Sequence, residues 1–454
     1  MTIDVLVAEI GSTTTIVNAF NINPQPVFLG RGISQTTVDT DVVIGLKAAI
    51  KNLEETISVK EIAYKEMFAT SSAAGGLKVT VSGLVYEMTV KASKEAALNA
   101  GANIHLINAG VLTNDDLQQI KEINPNMIII AGGTDYGEKE TAFANITKVE
   151  KLSLDVPIIY AGNEDNHYRI KENFKNSNQK EYLKIVENVY PRVDYMNILP
   201  LREAIYKTFE EHIIKAKGMS HIKKMVNASI MPTPGSVMEA TMRLHDSIGD
   251  LITIDIGGAT SDIHSIAIPS EDYKEYFDGT PTQKRTVEGD LGVFVNLKNT
   301  LPFLDIEKFM LKHNIARSAF DKLIDSFPYL PISDIEKDLL YEVTKICVHQ
   351  SLDRHIGDYR KVYTSNGLKI LPEGRDCSQV KTIVLTGGAL LHSRDSNTII
   401  HTYLEKRVNK MIPNKPIKIL TDNHYIMASL GVLSLKYPEA ALKLLKQSFN
   451  IKEG

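Results

Sequence analysis

Several protein classes are argued against by what this chain has little of. It carries only two cysteines, Cys347 and Cys377, far apart and in no CxxC pattern. A disulfide framework, a thiolate zinc site and an iron–sulfur cluster all need several closely placed sulfurs, so none is expected. No apolar run approaches the ~20 residues that cross a bilayer, and the longest, such as Met127–Ala131, read as buried strands. Positive charge is not in excess: 51 Lys and Arg against 55 Asp and Glu leave a net charge of −4. A nucleic-acid-binding surface is therefore not expected, and the short basic cluster His221–Met225 reads as a solvated helix face. The first residues have no basic region and include Asp4 and Glu9, a poor secretory signal. A cytoplasmic protein with no membrane and no nucleic-acid partner is the expectation.

What is present is alternation. The 454 residues, 43% hydrophobic and 23% charged, are enough for two to four domains. Short apolar runs alternate with helix-period segments over most of the length, which argues for an α/β architecture. Between Val79 and Gly133 the alternation is most regular. Val79–Tyr86 reads as a strand, and Thr89–Gly101 as a helix closed by a C-cap glycine. Asn103–Ala109 reads as the next strand, then comes a helix capped by Thr113 or Asn114, then the strand at Met127–Gly133. Val156–Asn163 is a later strand, and the polar stretch Glu172–Lys180 reads as irregular. Met231–Asp246 places two prolines before a helical pattern, as at a hinge or domain entrance, and Phe303–Tyr363 reads as mostly helical.

Three glycine turns carry chemistry. In "AEIGSTTTIVNAF" a strand ends at Glu9, turns through Gly11, Ser12, Thr13, Thr14 and Thr15, and resumes. "TIDIGGATSDIHS" repeats the design: Asp255 ends a strand, Gly257, Gly258, Ala259 and Thr260 turn it, and Asp262 opens the return. "IVLTGGALL" is a buried strand running into Gly387 and Gly388 and a helix-like start. Glycine turns allow backbone N–H groups to approach phosphate oxygens, and carboxylates hold Mg²⁺ through its water shell. The first two turns would grip the β- and γ-phosphates of ATP with Glu9 and Asp255 toward the metal, and the third would receive the adenosine side. Taken singly, each turn also suits a site where backbones merely approach closely.

In order and design the trio resembles the actin/heat-shock-chaperone/sugar-kinase ATPase superfamily, with a first phosphate hairpin, a second of the form D-x-G-G-x-T-x-D, and a late Gly-Gly strand. The resemblance implies an actin-like, ribonuclease H-like fold of two lobes. These would be residues 1–245, with an α/β subdomain inserted at about 64–230, and residues 246–454, with a helical insertion at about 303–363. "VEGDLG" (Val287–Gly292) falls where that superfamily often has a further glycine–acid turn, which adds Gly289 to the nucleotide set. Glu9 stands where the superfamily usually has Asp, a departure that bears on the metal geometry. A narrower resemblance spans almost the whole chain. "SSAAGGLKV", "IIIAGGTDYG", "VPIIYAGN", "PTPGSVMEA", "DIGGATSDIHS" and "RTVEGDLG", in this order, are similar to the MutL/GlmL family of ATPase-like accessory proteins of adenosylcobalamin-dependent mutases. What this implies is an ATP-dependent reactivating chaperone that frees a glutamate mutase or aminomutase of inactive cobalamin.

Phosphoryl transfer to water needs positioning and charge stabilisation more than covalent help. Asp255 or Asp262 could orient the water, and Asp135 in "GGTDYG" is a further candidate, with a turn-capping role as the alternative. "DRHIGD" comes near a base-off cobalamin motif, but its glycine is one residue early; His355 is expected to be a surface or partly buried helix residue. The Val79–Gly133 run has a flavodoxin-like layout that a generic α/β subdomain explains equally well. "NEDNH" (Asn163–His167) reads as a solvated loop before a metal cluster. A small-molecule kinase is the main alternative function, though no sugar-binding signature is recognisable. A filament protein and an iron–sulfur dehydratase activator are weaker rivals.

Overall fold

The computed structural model describes residues 2–451 apart from 12–13, 38–40, 73–76, 214–218, 228–229, 278–279, 330, 365–366 and 414–415. Ser12 and Thr13 therefore lie outside the described residues. The chain forms two compact units. One holds Met1–Ala240, Asp278–Pro281 and Ala428–Leu444; the other holds Thr241–Phe277, Thr282–Met427 and Leu445–Gly454.

The first unit opens with strands β1 (Thr2–Ile10), β2 (Thr14–Asn21), β3 (Val27–Gln35) and β4 (Ala63–Ser71). The chain leaves this sheet for five more strands, β5 (Leu77–Gly83), β6 (Ala102–Ala109), β7 (Met127–Ile130), β8 (Ile158–Tyr160) and β9 (Leu183–Ile185), and returns as β10 (Ile230–Pro232). The first sheet has the order β10-β4-β1-β2-β3. Its β1–β2 and β2–β3 pairs are antiparallel, and β1–β4 and β4–β10 are parallel. The helix Val42–Thr56 covers β2 and β3: Asp41 caps it by accepting from the Val43 amide, and Val42, Leu46, Ala49 and Leu53 repeat at helical spacing on the buried face. The inserted sheet is wholly parallel with the order β6-β5-β7-β8-β9. That is the doubly wound flavodoxin-like order. One apolar core runs beneath both sheets, from Leu6 and Ile10 to Val79, Val81 and Ile129.

The second unit contains β11 (Leu251–Ile256), β12 (Ser261–Ile266), β13 (Gln283–Glu288), β14 (Asp358–Thr364), β15 (Gly367–Glu373), β16 (Thr382–Thr386) and β17 (Lys418–Thr421). Its main sheet has the order β13-β12-β11-β16-β17, again antiparallel in the first two pairs and parallel in the last two. Each unit thus carries the same 3-2-1-4-5 sheet, the duplicated ribonuclease H-like pattern of the actin-like α/β fold. The helices Ile306–His313, Arg317–Asp325 and Asp334–His355 supply the helical region of this unit.

Four local expectations need correcting. The strand expected over Val79–Tyr86 stops at Gly83, and Tyr86–Val90 form a turn of π-helix. The Thr89 hydroxyl accepts from the Leu84 and Val85 amides at 2.9 and 3.4 Å, which ends strand pairing there. The helical run expected to Tyr363 ends at His355, and Asp358–Thr364 pairs with Gly367–Glu373 in a separate two-stranded ribbon. Residues of the stretch expected to be irregular belong to the helix His167–Phe174, which buries Ile170 and Phe174 at helical spacing. His355, expected near the surface, is fully buried, with Nδ1 2.9 Å from the Thr286 hydroxyl and Nε2 2.8 Å from that of Ser265.

Burial holds His355 well below the usual imidazole pKa of 6.5, with Lys284 and Arg375 adding to the effect. The folded protein keeps this ring neutral where the unfolded chain takes up a proton, so the stability it contributes is complete above pH 6.5 and is lost as the pH falls. Relative to His355→Gln, the wild type should lose up to about 1.4 kcal/mol for each pH unit below 6.5. Urea unfolding at several pH values measures this; parallel curves for the two proteins would exclude it.

Candidate functional site

The second glycine turn is built by hydrogen bonds that leave its donors over. β11 and β12 pair up to Ile256↔Ser261, and the Gly257 amide then donates to the Thr260 carbonyl at 2.9 Å, closing the hairpin. The loop after β13 takes the other carbonyls. Phe294 and Val295 donate to Gly258 O at 2.9 Å, Val293 donates to Gly257 O at 3.4 Å, and Asn296 Nδ2 donates to Ala259 O at 2.7 Å. All four carbonyls of Gly257–Thr260 are thus tied back. Among the described residues no acceptor takes the amides of Gly258, Ala259 or Thr260. Consecutive free amides in such a turn form an anion-binding concavity.

Sequence-predicted residues converge on this turn. Asp255 pairs across the sheet with Asp262 on one side and Thr386 on the other. Gly387 has φ +89°, and a Cβ there would lie 2.5 Å from Asp255 Oδ1 and 2.6 Å from the Ile256 amide. Only glycine lets β16 end against the Asp255 carboxylate. Asn296 Nδ2 also reaches Gly289 O at 2.9 Å, which ties the exposed Gly289 into the same loop. Gly388 opens a five-residue helix, Gly388–His392.

Asp262 is less available than the sequence implied. Arg285, completely buried on β13, donates Nε–H to Oδ1 at 2.9 Å and also bonds it through Nη2, while the Thr260 hydroxyl donates to Oδ2 at 3.1 Å. Both oxygens are therefore engaged in bracing the turn. Glu288, at the end of β13 and paired with Ser261, is a carboxylate that the sequence reading passed over. Burial raises its pKa against the opposing pull of Arg354, and Asp290 and Asp262 add to the rise.

In the first unit Gly11 closes its hairpin the same way, its amide donating to the Thr14 carbonyl at 3.0 Å next to the Ile10↔Thr15 pair. Thr15 is buried, with its hydroxyl 2.8 Å from that of Thr36. Glu9 is 7% exposed; Ser429 Oγ donates to its Oε1 at 2.5 Å and Asn18 Nδ2 at 3.3 Å. Asn18 and Ser429 went unpredicted, since a contact between residues 9 and 429 leaves no local signal in the sequence. Asp135 stands apart, on the inserted sheet after β7. Its Oδ1 accepts from the Glu164 amide at 3.0 Å and from Asn188 Nδ2 at 2.9 Å. Cys347 and Cys377 are buried thiols that burial pushes up to about 12 and about 11.

The fold and the two glycine hairpins define a protein of duplicated ribonuclease H-like sheets, each presenting a carboxylate beside a tight turn. The MutL protein family matches residues 5–449, and the chain belongs to that family. It is similar to the Protein MutL of Clostridium tetanomorphum, 32% identical over 467 residues, covering 97% of this chain and 98% of that protein. Solved structures resemble it more distantly. Component A of the (R)-2-hydroxyglutaryl-CoA dehydratase of Acidaminococcus fermentans has a TM-score of 0.35 at 9% identity, over 96% of this chain and 98% of that one. A diol dehydratase-reactivating factor in nucleotide-free form has a TM-score of 0.35 at 9% identity, over 96% and 100%.

Two substitutions separate the parts of the turn. Gly387→Ala forces a side chain into left-handed backbone and against Asp255, and should cost about 2–4 kcal/mol. Arg285→Ala strands the buried Asp262 carboxylate and should cost about 3–5 kcal/mol. Chemical denaturation measures both, and a loss under about 1 kcal/mol in either would contradict these contacts.

Proposed function

We propose that the protein is an ATPase that reactivates an adenosylcobalamin-dependent mutase of the glutamate mutase or aminomutase type, by driving release of damaged or inactive cobalamin. The observation that carries the nucleotide half is the row of free amides at Gly258, Ala259 and Thr260. The family match supports the client half. In this reading Gly257–Thr260 receive phosphate oxygens, and Gly11–Thr15 do so from the first unit. Gly289, Gly387 and Gly388 accommodate the rest of the nucleotide. The 1–245 and 246–454 division with its two insertions belongs to the same reading.

In this reading Glu9 in the first unit and Asp255 in the second are each hard oxygen donors of the type Mg²⁺ takes. Mg²⁺ supplies neutralisation of phosphate charge when it is bound. The chain's own part is to present amides where charge develops on the phosphoryl oxygens, an arrangement that costs no reorganisation during reaction. Asp255, backed against Gly387, is the group we assign to orient the attacking water. Asp262 holds the turn through Arg285, and Asp135 keeps its own loop in register. Nucleotide state then reaches the client as a difference in binding energy; on the order of 5 kcal/mol is needed to move a two-state element from mostly one form to mostly the other.

The test loads a cobalamin mutase with hydroxocobalamin, adds this protein with Mg-ATP, and follows cobalamin release by visible absorbance. Release should require ATP and fall about 100-fold with Asp255→Ala. ATP hydrolysis without release from any of several mutases would instead favour a small-molecule kinase and call for a screen of phosphoryl acceptors.

A further inference from the structure

In a doubly wound sheet of this order, ligands bind beyond the carboxyl ends of the strands, at the switch point between the first and third strands. Here that point lies between β5 and β7. The usual occupant of such a crevice is a phosphate-bearing cofactor, and the charge of the loops at this edge is set against one. The Leu84 and Val85 amides are consumed by Thr89, while those of Gly132, Gly133 and Thr134 after β7 have no acceptor among the described residues. The loops that follow the five strands (84–90, 110–116, 131–139, 161–166 and 186–197) contain nine carboxylates and two basic residues. Of those two, Lys139 is paired with Asp165 at 3.0 Å and Arg192 lies over the Tyr195 ring at 4.7 Å. Carboxylates thus outnumber bases in these loops, although Lys148, from the helix Glu140–Glu150, reaches Leu112 O at 2.6 Å.

The same edge is rich in exposed apolar surface. Among the described residues between 77 and 197, every strongly exposed large apolar side chain follows the carboxyl end of a strand: Val85, Tyr86, Val111, Tyr136, Val193 and Tyr195, with Tyr168 in the helix after β8. No such residue lies in the loops at the opposite edge. Those loops (100–101, 124–126, 151–157 and 175–182) carry three lysines against two acids, so the two ends of the sheet differ in charge as well.

Tyr136 is the most exposed of the set, at 84%, and its backbone is left-handed at φ +60°. A bulky residue in that region is a genuine outlier, and such strain is retained where something other than folding requires it. The loop is fixed around it by the Gly137 amide donating to Thr134 O at 3.0 Å and the Asp135 amide donating to Pro191 O at 2.9 Å. Tyrosine offers a large contact area at low entropic cost, which suits protein recognition.

We propose that the carboxyl edge of the inserted sheet is a docking surface for a protein partner that presents basic side chains around an apolar patch. The exposed tyrosines and valines supply the contact area, and the excess of carboxylates sets the sign of the partner's charge. The surface does not depend on the reactivase reading, although the client of that reading is one protein that could use it.

The chain has no tryptophan, so Tyr136→Trp places a single indole reporter at the centre of the edge. The first probe is a lysine–leucine amphipathic peptide, titrated at about 20 mM and about 0.5 M salt, where screening differs widely. The indole emission should shift to the blue on saturation, with affinity at least tenfold weaker at high salt and at least tenfold weaker in Glu87→Lys/Glu164→Lys. Tyr136→Gly, which relieves the backbone and is compared with wild type by titration calorimetry because neither carries the indole, should melt no lower than wild type and yet bind at least tenfold more weakly. A silent indole, or wild-type affinity in the charge-reversed or glycine variants, overturns the proposal. In a second arm the probe is a cobalamin mutase. Reactivation with the indole silent removes the docking surface and leaves the reactivase reading standing. An indole response to the peptide with no mutase reactivated does the reverse.

Discussion

The tying back of the Gly257–Thr260 carbonyls is the constraint from which the rest of the second unit's site follows. A four-residue turn has as many acceptors as donors, and a loop that satisfied both would bind nothing. Here Val293, Phe294, Val295 and Asn296 take the acceptors, and the Gly257 amide closes the hairpin. To do so, the loop after β13 must lie directly on the turn. Gly292 makes that possible, since a Cβ there would sit 2.4 Å from the Ala259 carbonyl oxygen. The stack is held in register by the buried Arg285–Asp262 pair, which bonds β13 to β12 two residues from the turn's end. Phe294 in turn stacks with Phe327 at 5.6 Å and meets Tyr329 at 5.2 Å, so an aromatic cluster backs the loop. Burying an ion pair is rarely the most stabilising choice for a core. Its use beside this turn is consistent with fixing geometry at some cost in stability.

The duplication of the sheet makes the difference between the two acids interpretable. Glu9 and Asp255 are each the penultimate residue of a first strand, and each faces a threonine on the parallel neighbour, Thr70 and Thr386. The residue after that threonine is Gly387 in one unit and Ser71 in the other. Asp255 is short and lies against the bare α-carbon of Gly387. In the other sheet the corresponding space is taken by a side chain whose hydroxyl turns back to Ile10 O at 3.3 Å. Glu9 accepts from Ser429 and Asn18. Glu in place of the expected Asp is thus met by hydrogen-bond donors of its own, Ser429 and Asn18, within the first unit.

What was legible in the sequence was what local chemistry specifies. A glycine after an acid at a strand end has few uses, and the regular strand–helix spacing from Val79 onward leaves little room for anything but a parallel sheet. The order of the three turns carried the fold. What was not legible lies in long-range pairing or in competing local effects. Asn296 acts on Ala259 across thirty-seven positions, and Ser429 on Glu9 across four hundred and twenty. The early end of β5 depends on one threonine hydroxyl capturing two amides, against a β-rich sequence through Tyr86. The first strand of the ribbon, as far as Tyr363, reads as helix because it follows a 22-residue helix without a proline, and only Gly357 marks the break.

The three sheets end in surfaces of opposite chemistry, although all are built from the same strand-to-turn units. In the duplicated sheets a glycine hairpin closes on itself through one backbone bond, and in the second the carbonyls are then consumed and amides remain. In the inserted sheet the amides after β5 are consumed by a side chain, and carboxylates crowd the neighbouring loops. In the proposed function the phosphates go to the first kind of surface, where amides are left over. A basic protein surface has the reverse preference. Two ligands of opposite charge are therefore favoured at different places on one chain, a phosphate by unaccepted amides and a basic surface by carboxylates. Under the function and the docking surface proposed above, a triphosphate and a macromolecule are held at separate places, and that separation removes competition before any conformational coupling is required.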